Sequence, residues 1–366
     1  MLERAFTGDQ KYFRWLTVLL VFIGLGFATY LVQLNKGLTI TGLSRDVSWG
    51  FYIAQFTFLV GVAASAVMVV LPYYLHNYKA FARVTILGEF IAVAACTMCM
   101  LFVFVDMGQP FRLLNVFLYP TPNSIMFYDI IVLQGYLFLN IVIGWTVLSA
   151  EKKQLPPPAW VKPLIYISIP WAVSIHTVTA FLYAGLPGRH LWLTAILAAR
   201  FLASAFAAGP SLLVIMILIL RKVSDFKIGK APVQKLAQII AYAMFLNLFF
   251  LGLEFFTAFY SGIPGHKASL LYLFFGFEGH GSLIPFMWFS IALGLLALAL
   301  LVYPGSRHNE TILAFAVGGV FVSSWIDKGL GLVVGGFIPN PLEHVTEYAP
   351  TIPEILITLM IYAVGL

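Results

Sequence analysis

Charged residues are scarce in this sequence. Asp, Glu, Lys and Arg make up 10% of the 366 residues, whereas a soluble domain carries about 25%. So few charges cannot solvate the surface of a chain this long, which excludes an ordinary soluble fold. Hydrophobic residues make up 61% of the chain, and several apolar runs exceed the roughly 20 residues that span a bilayer core. The composition therefore predicts an all-α integral membrane protein.

Residues that hold metal centres are scarce as well. The two cysteines, Cys96 and Cys99, lie in one apolar run and share a helix face, so we expect them to pack as small apolar residues. Of the histidines, His176 alone lies deep in a predicted helix, which argues against axial haem pairs. No run of consecutive Lys or Arg indicates nucleic-acid binding. We therefore expect no haem, no iron–sulfur cluster and no other metal in this chain, and membrane lipid rather than nucleic acid as its surroundings.

The apolar runs predict about ten transmembrane helices joined by connections rich in turn residues. We place the helices at residues 12–34, 48–73, 83–106, 124–149, 161–184, 191–220, 233–260, 283–303, 311–331 and 353–366. The longer connections at 261–282 and 332–352 are expected to cap one face of the bundle. We expect a first four-helix bundle at residues 1–150, a second at 151–305 and a terminal transmembrane helix pair at 306–366.

A weak internal repeat underlies this division. Trp49 precedes the small-residue patch 61–66, and Trp192 precedes the similar patch 203–209, in both cases by about 11 or 12 residues. The pattern predicts two four-helix bundles in parallel repeat, an arrangement found in other membrane proteins. Small residues are also favoured wherever membrane helices pack closely, so chance similarity is the alternative.

Positive charges accumulate on one side of the predicted bundle. The connections after the second, fourth, sixth and eighth helices contain eleven Lys and Arg residues, whereas the opposite connections contain five. The N-terminal segment adds Arg4, Lys11 and Arg14 to the richer side. Cytoplasmic loops are enriched in Lys and Arg. We therefore expect a multi-pass protein of the cytoplasmic (inner) membrane with both termini in the cytoplasm.

The stretch from Asp106 to Arg112 is the leading candidate site. Ionisable residues inside a membrane are costly, so each is a candidate for function. Gly108 and Pro110 end the third helix, which lets Asp106 and Arg112 fold back toward each other. Such a pair can hold the polar head of a lipid-soluble ligand while Asp106 exchanges protons with it. The alternative is a structural ion pair that fixes the helix end.

Other intramembrane ionisable residues suggest a path for protons. Glu89 would extend it from Asp106 toward the cytoplasm, and Glu254 is a candidate partner for His176 or Lys328. The alternatives are a hydrogen-bonded packing histidine and a buried ion pair that holds the second bundle together. The complete set comprises His76, Glu89, His176, Glu254, Asp327 and Lys328.

Three stretches carry a resemblance to a known family: Gly42–Gly50, Asp106–Arg112 and Ser174–Gly188. Over essentially its whole length the chain resembles the NrfD-like superfamily, which includes the membrane subunit of polysulfide reductase. With ten predicted helices and the Trp325–Leu330 stretch, the chain most resembles the DsrP and HmcC branch of this superfamily. Within that branch, it resembles DsrP more than HmcC or the TmcC-type paralogues.

The resemblance implies a subunit that binds menaquinone or menaquinol near the outer face and has no redox cofactor of its own. It implies electron exchange with an extracytoplasmic iron–sulfur subunit and a multihaem cytochrome c, in sulfate or sulfite respiration. It also allows a membrane cytochrome b subunit and a cytoplasmic iron–sulfur subunit. The family's quinone-site carboxylate corresponds to Asp106, which gives catalytic roles to Asp106 and Arg112. The expected quinone-binding residues are Trp49, Asp106, Gln109, Arg112 and Asp129.

Two other functions stay open on the sequence alone. A transporter or ion pump is compatible with ten helices and an internal repeat, although a solute carrier more often breaks its helices at the bilayer midplane. A membrane anchor with inert polar residues would contain no quinone, and an Asp106→Asn substitution would leave its turnover unchanged.

Overall fold

The computed structural model describes residues 7–63, 65–224 and 228–366, which fold into helices joined by short connections. Within these ranges, nine helices are long and apolar enough to cross a membrane, and the C-terminal helix is shorter. In chain order the helices are α1 (Gln10–Lys36), α2 (Phe51–Ala63 and Ser65–Leu75), α3 (Ala82–Asp106), α4 (Ile125–Lys152), α5 (Val161–Ala184), α6 (Ile196–Val223), α7 (Lys230–Ser261), α8 (Pro264–Phe274), α9 (Ile284–Val302), α10 (Glu310–Ser324, continued by the π-helical segment Trp325–Val334) and α11 (Ile352–Gly365).

The predicted all-helical membrane fold is confirmed, with three local differences. The connection at 261–282 contains α8, whose apolar residues are buried under the bundle. Helix α6 begins at Ile196 rather than at 191, because residues 191–195 form turns and irregular structure instead of helix. Helix α10 extends to Val334 through its π-helical segment. Arg4 and Lys227 of the charge pattern and Ala64 of the first small-residue patch lie outside the described residues.

Helix α2 lies at the centre of the protein and α1 at its edge. Of 18 consecutive residues in the apolar part of each helix, 94% are buried in α2, whereas only 17% are buried in α1. Large apolar side chains such as Phe22 and Phe27 cover the outside of α1, as expected where lipid is the solvent. Residues on two faces of α2 can therefore contribute to internal sites.

The two small-residue patches meet where α2 packs against α6. A Cβ added at Gly209 of α6 would lie 3.0 Å from the backbone nitrogen of Ser65, and one at Gly61 would lie 3.5 Å from the Cα of Ala205. Small residues let membrane helices approach this closely. The patches thus have a packing role, and the parallel repeat and the boundaries at 150 and 305 stay predictions.

The C-terminal helix packs against the first helix of the chain. At Gly26 of α1, an added Cβ would lie 2.3 Å from the Cβ of Met360 in α11. Helix α11 begins with a capping box, in which Glu354 accepts hydrogen bonds from the backbone of Thr351 (2.8 Å) and of Gly42 (2.8 Å). The terminal helix therefore packs against α1 and the connection that follows it.

A polar clasp joins three connections at the end of the bundle that carries Trp49, which we call the Trp49 face. Asp46, just before α2, accepts hydrogen bonds from Thr346 Oγ1 at 2.9 Å and from Asn340 Nδ2 at 3.1 Å. These two bonds hold the pKa of the Asp46 carboxyl below its usual range. Arg189 adds hydrogen bonds to the carbonyl oxygens of Phe337 (2.9 Å) and Asp46 (3.3 Å). The clasp fixes the start of α2.

This clasp gives the protein a stability component that depends on pH. Because the pKa of Asp46 is lower in the folded state, its stabilising effect is complete above the ordinary pKa of 3.8 and is lost as the pH falls through the folded value. We expect Asp46→Asn to lower the melting temperature of the detergent-purified protein at pH 7 and to reduce the difference between pH 7 and pH 3. Glu343→Gln, at an exposed carboxylate of the same connection, should change neither; equal effects of both substitutions would contradict this account.

Candidate functional site

A largely apolar cavity of about 330 Å³ lies between α2, α3, α4 and α5 at the Trp49 face. Three residues predicted from the sequence line it, namely Trp49, Asp106 and Asp129, and Tyr183 joins them. Ligand sites are commonly apolar clefts of roughly 300–1,000 Å³ with a few converging polar groups. The cavity has this character, and we call it the Asp106 cavity.

Asp106 is the last residue of α3. The next residue, Met107, has extended backbone dihedral angles (φ −76°, ψ 122°), so the helix ends at Asp106. The Asp106 side chain lines the edge of the cavity. Among the described residues, no group donates a hydrogen bond to the buried Asp106 Oδ1. Buried polar atoms are nearly always hydrogen-bonded in proteins. The unpaired oxygen can therefore bind a proton or accept a hydrogen bond from a ligand.

Asp129 approaches the cavity from the first turns of α4 and is buried. Thr179 of α5 donates a hydrogen bond of 2.6 Å to its Oδ1. This bond ties α4 to α5 and fixes the orientation of the carboxylate. Two acidic groups from different helices thus face one cavity, one with a protein partner and one with an unpaired oxygen.

Aromatic rings form one wall of the Asp106 cavity. Trp49 packs edge-on against Tyr183 with ring centroids 5.4 Å apart, and stacks on Trp192 at 5.9 Å. The Trp192 indole donates to the carbonyl oxygen of Leu332 at 2.8 Å, and the Tyr183 hydroxyl is hydrogen-bonded to Thr57. The polar ends of Trp192 and Tyr183 are thus satisfied, and the rings present apolar faces to the cavity.

The chain segment after α3 closes the cavity on the side of the membrane surface. Met107, Leu113 and Val116 line the cavity, while Phe111 and Tyr119 of the same segment are 84% and 74% exposed. A short amphipathic segment with large exposed apolar residues is typical of a membrane interface. This segment therefore forms one wall of the cavity and exposes apolar side chains on its other side.

Two predicted residues lie away from the cavity. Gln109 and Arg112 are exposed on the segment after α3 and are not among the lining residues. In the part of the chain that the structure describes, no ion pair joins Arg112 to Asp106. The expectation that Asp106 and Arg112 fold back toward each other was wrong. Arg112 lies in the short 3₁₀ helix Pro110–Leu114, and its side chain is exposed.

A second polar cluster joins α6, α7 and α10. Arg200 is hydrogen-bonded to Glu254 and, at 2.6 Å, to Asp327 Oδ1, and the side chains of all three are at most 9% exposed. Asp327 belongs to the π-helical segment, a rare conformation that is frequent at functional sites. Glu254 also lines a cavity of about 240 Å³ with Thr194, Thr257 and His266. Arg200, rather than His176 or Lys328, is thus the partner of Glu254.

The remaining predicted proton-path residues form no hydrogen bonds with one another within the described ranges. Lys328 donates to the carbonyl oxygen of Phe201 at 3.4 Å, and neither ring nitrogen of the buried His176 has a hydrogen-bond partner within the described ranges. Glu89 is buried beside Gly144 of α4. It lies 17 residues before Asp106, or roughly 25 Å along the helix. His76 is exposed.

Within the described ranges, no group of three or more His, Cys, Asp and Glu side chains lies close enough together to hold a metal ion. Cys96 and Cys99 are buried and have free thiols.

Comparison with known proteins places this geometry in a family. The model of the family described as polysulphide reductase, NrfD, matches residues 39–326, which include every residue that lines the Asp106 cavity. The chain belongs to the NrfD family. The family resemblance predicted from the sequence is confirmed.

Three curated relatives of this NrfD-family chain are similar over much of their length. A membrane subunit assigned to dimethyl sulfoxide reductase of Halobacterium salinarum is 24% identical over 396 residues, covering 96% of this chain and 88% of the relative. A subunit of selenate reductase of Mesobacillus selenatarsenatis is 22% identical, covering 93% of this chain and 88% of the relative. The Hdr-like menaquinol oxidoreductase integral membrane subunit of Archaeoglobus fulgidus is 24% identical, covering 68% of this chain and 61% of the relative.

Sequence reasoning missed Tyr183 and the partners of Arg200. Tyr183 lies within the Ser174–Gly188 stretch that carries the family resemblance, but its place against Trp49 depends on how α5 packs. Arg200 was recognisable as an intramembrane charge, yet its two partners lie 54 and 127 residues away along the chain. Neither contact has a local sequence signal.

Proposed function

We propose that this chain is the membrane subunit of a quinol-linked respiratory oxidoreductase and that it binds the quinone head, of the menaquinone class, in the Asp106 cavity. The relatives support this proposal, since one is named as a subunit of a menaquinol oxidoreductase and two as subunits of reductases. The observation that carries it is the unpaired Asp106 Oδ1 at the rim of an apolar, aromatic-walled cavity.

The residues of the cavity fit the chemistry of a quinone head. A quinol loses two electrons and two protons when it becomes a quinone, so its site needs a proton acceptor and rings on which the flat head can pack. Asp106 accepts the proton of one quinol hydroxyl group, or returns it to the corresponding quinone oxygen. Trp49 and Tyr183 position the plane of the ring. Asp129, held by Thr179, is placed to hydrogen-bond the quinone head or to relay a proton that the head releases. The electrons leave to, or arrive from, a partner subunit.

Filling the cavity tests the binding site. Ile130→Phe adds volume inside the cavity, whereas Ile141→Phe makes the same change at a position of α4 that is 45% exposed and lies outside it. We expect Ile130→Phe to raise the apparent KM of the purified complex for a quinol analogue by about tenfold or more, because overpacking a formed pocket costs on the order of 1–3 kcal/mol. Ile141→Phe should leave KM unchanged. Equal KM values for both variants would contradict the assignment.

We further propose the partners that the family resemblance implies, an extracytoplasmic iron–sulfur subunit and a multihaem cytochrome c, with DsrP as the specific branch and sulfite or sulfate respiration as the setting. The excess of Lys and Arg supports cytoplasmic termini, which would put the Asp106 cavity on the extracytoplasmic side with these partners. Affinity purification of the tagged chain, followed by mass spectrometry and haem staining, tests this assembly. Recovery of a molybdenum-type reductase without a multihaem cytochrome would overturn the DsrP assignment.

Proton translocation is a second candidate function, favoured by the cluster around Arg200. Glu254 Oε1 is buried without a hydrogen-bond partner in the described ranges, and Glu254 lines a cavity beside the buried Arg200–Asp327 pair. An unpaired intramembrane carboxylate next to a cavity is suited to proton transfer.

We expect Glu254→Gln to abolish any proton movement beyond the two protons that each quinol releases, measured in sealed proteoliposomes, while leaving quinol oxidation by the uncoupled complex within about twofold. Glu278→Gln, at an exposed carboxylate, serves as the control. A pH change of unaltered size in Glu254→Gln would remove this cluster from proton transfer.

A further inference from the structure

A second cleft lies on the lipid-facing side of the bundle, where α2, α10 and α11 meet. It has a volume of about 290 Å³, and its lining is almost wholly apolar. The outer rim is formed by Val322, Ile355 and Leu359, which are 39–41% exposed. We call it the Gln55 cleft after the residue at its base.

Gln55 provides one unsatisfied donor. It is 0% exposed, and its Oε1 accepts hydrogen bonds from the Trp325 indole at 2.8 Å and from the Tyr362 hydroxyl at 2.7 Å. Because an indole N–H can only donate, these contacts fix which end of the amide is oxygen. The Gln55 Nε2 is then left without a partner among the described residues. A buried N–H group of this kind is expected to have an acceptor.

Thr358 of α11 provides a second unsatisfied group in the same lining. Its side chain is buried, and in the described part of the chain its hydroxyl finds neither a carbonyl oxygen of its own helix nor another partner. Thr97, Thr146 and Thr257, in other helices of the chain, bond the carbonyl oxygen four residues earlier. Two unpaired polar atoms thus belong to residues that line one apolar cleft open to lipid.

The rest of the lining defines the chemical class that fits. The aromatic residues Phe51, Phe321, Trp325 and Tyr362 surround the cleft, and none of its described lining residues is charged. Aromatic walls favour a flat ring, and the free amide favours a carbonyl acceptor. A phospholipid headgroup would find no opposite charge there. Trp325 is also the first residue of the π-helical segment, a conformation often associated with binding sites.

The Gln55 cleft is distinct from the Asp106 cavity. With 3.6 residues per turn, Ile53 and Phe56, which line the cavity, lie on nearly the opposite face of α2 from Phe51 and Gln55, which line the cleft. The two spaces are thus separated by about one helix diameter, roughly 10 Å. Helix α11 also lies beyond the family-matched range of residues 39–326.

We propose that the Gln55 cleft is a second binding site for a neutral, lipid-soluble quinone. Its carbonyl oxygens accept hydrogen bonds from Gln55 Nε2 and Thr358 Oγ1, and its ring lies against Trp325 and Phe321. The inference does not depend on the Asp106 cavity being the catalytic site. It adds a lipid-facing position at which a quinone is held about one helix away from the proposed reaction centre.

Photolabelling tests the second site directly. The purified complex in nanodiscs is irradiated with an azido-naphthoquinone that carries an isoprenoid tail, and labelled peptides are mapped by mass spectrometry. We expect label on α10 and α11 peptides that an excess of unlabelled naphthoquinone suppresses and an excess of phosphatidylcholine does not. Thr358→Val, which removes the free hydroxyl but keeps the shape, should lower this labelling about threefold to tenfold, the range expected for one lost hydrogen bond.

A matched pair of substitutions on α11 distinguishes the cleft from the general lipid surface. Leu359→Trp fills the cleft and should abolish the α10 and α11 label, whereas Val364→Trp, at another exposed position, should preserve it. In Ile130→Phe the cleft label should persist, so loss of the Asp106 site and loss of this site are separate outcomes. Wild-type α10 and α11 peptides without label, or label that survives Leu359→Trp or that phosphatidylcholine displaces, would overturn the proposal.

Discussion

Substituting Asp106 by Asn should lower the turnover of quinol oxidation by the assembled complex by about 100-fold or more. Asn keeps the size and polarity of the side chain but cannot exchange a proton, and a positioned general acid or base contributes about 10²–10⁴-fold. Because the Asp106 Oδ1 has no protein partner in the described ranges, the substitution breaks no internal hydrogen bond there. The loss should therefore appear in kcat, with the content of partner subunits unchanged.

Helix α3 offers a matched control for this experiment. Glu89 is also a buried carboxyl group with an unpaired oxygen in the described ranges, but it lies beside Gly144 and outside the cavity. Glu89→Gln should leave quinol oxidation by the detergent-solubilised complex within about twofold. If Asp106→Asn turned over at the wild-type rate, Asp106 would have no part in the mechanism, and a role as an inert membrane anchor would gain support.

Substituting Arg200 by Met should have the largest effect on stability. Glu254 and Asp327 would lose their shared partner while both remain buried, and removing one member of a buried ion pair costs about 3–5 kcal/mol. We expect a correspondingly lower free energy of unfolding in detergent, measured by chemical denaturation. The triple variant Arg200→Met, Glu254→Gln, Asp327→Asn should recover most of the loss, because it removes the three charges of the Arg200 cluster together.

A surface ion pair gives the comparison for this result. Arg83 and Glu151 are 3.7 Å apart with side chains 59% and 45% exposed, and such exposed pairs contribute roughly 0–1 kcal/mol. Arg83→Met should therefore change the free energy of unfolding far less than Arg200→Met. Similar losses in both variants, or a triple variant no more stable than Arg200→Met, would show that the buried cluster is not held by its charges.

Much of the fold could be predicted because lipid imposes simple rules on the sequence. Backbone groups in a bilayer must bond internally, so each long apolar run becomes a helix. The turn residues Gly108 and Pro110 placed the end of α3 at Asp106, as the structure has it. Helix α8 was missed because an 11-residue helix with Gly265, His266 and Lys267 in its first turns lacks a membrane-length apolar run. Its helical form depends on burial under α7 and α9.

The candidate site was predictable in its residue types and less so in its contacts. Trp49, Asp106 and Asp129 do line one cavity, since the ends of successive antiparallel helices meet at the same face. Arg112 was placed there by its closeness in sequence, but the direction of a side chain after a helix end depends on turn geometry that spacing does not specify. The Arg200 contacts and the unpaired Gln55 amide depend on which helices become neighbours, and for these the sequence had no local signal.

The most direct test of the quinone site is a cryo-electron-microscopy structure of the purified complex with an excess of a naphthoquinone. The account predicts density for a flat two-ring head in the Asp106 cavity, against Trp49 and Tyr183, with one ring oxygen within hydrogen-bonding distance of the Asp106 carboxyl group. The account would be contradicted if an active complex showed no naphthoquinone in the Asp106 cavity and bound the quinone on a partner subunit instead.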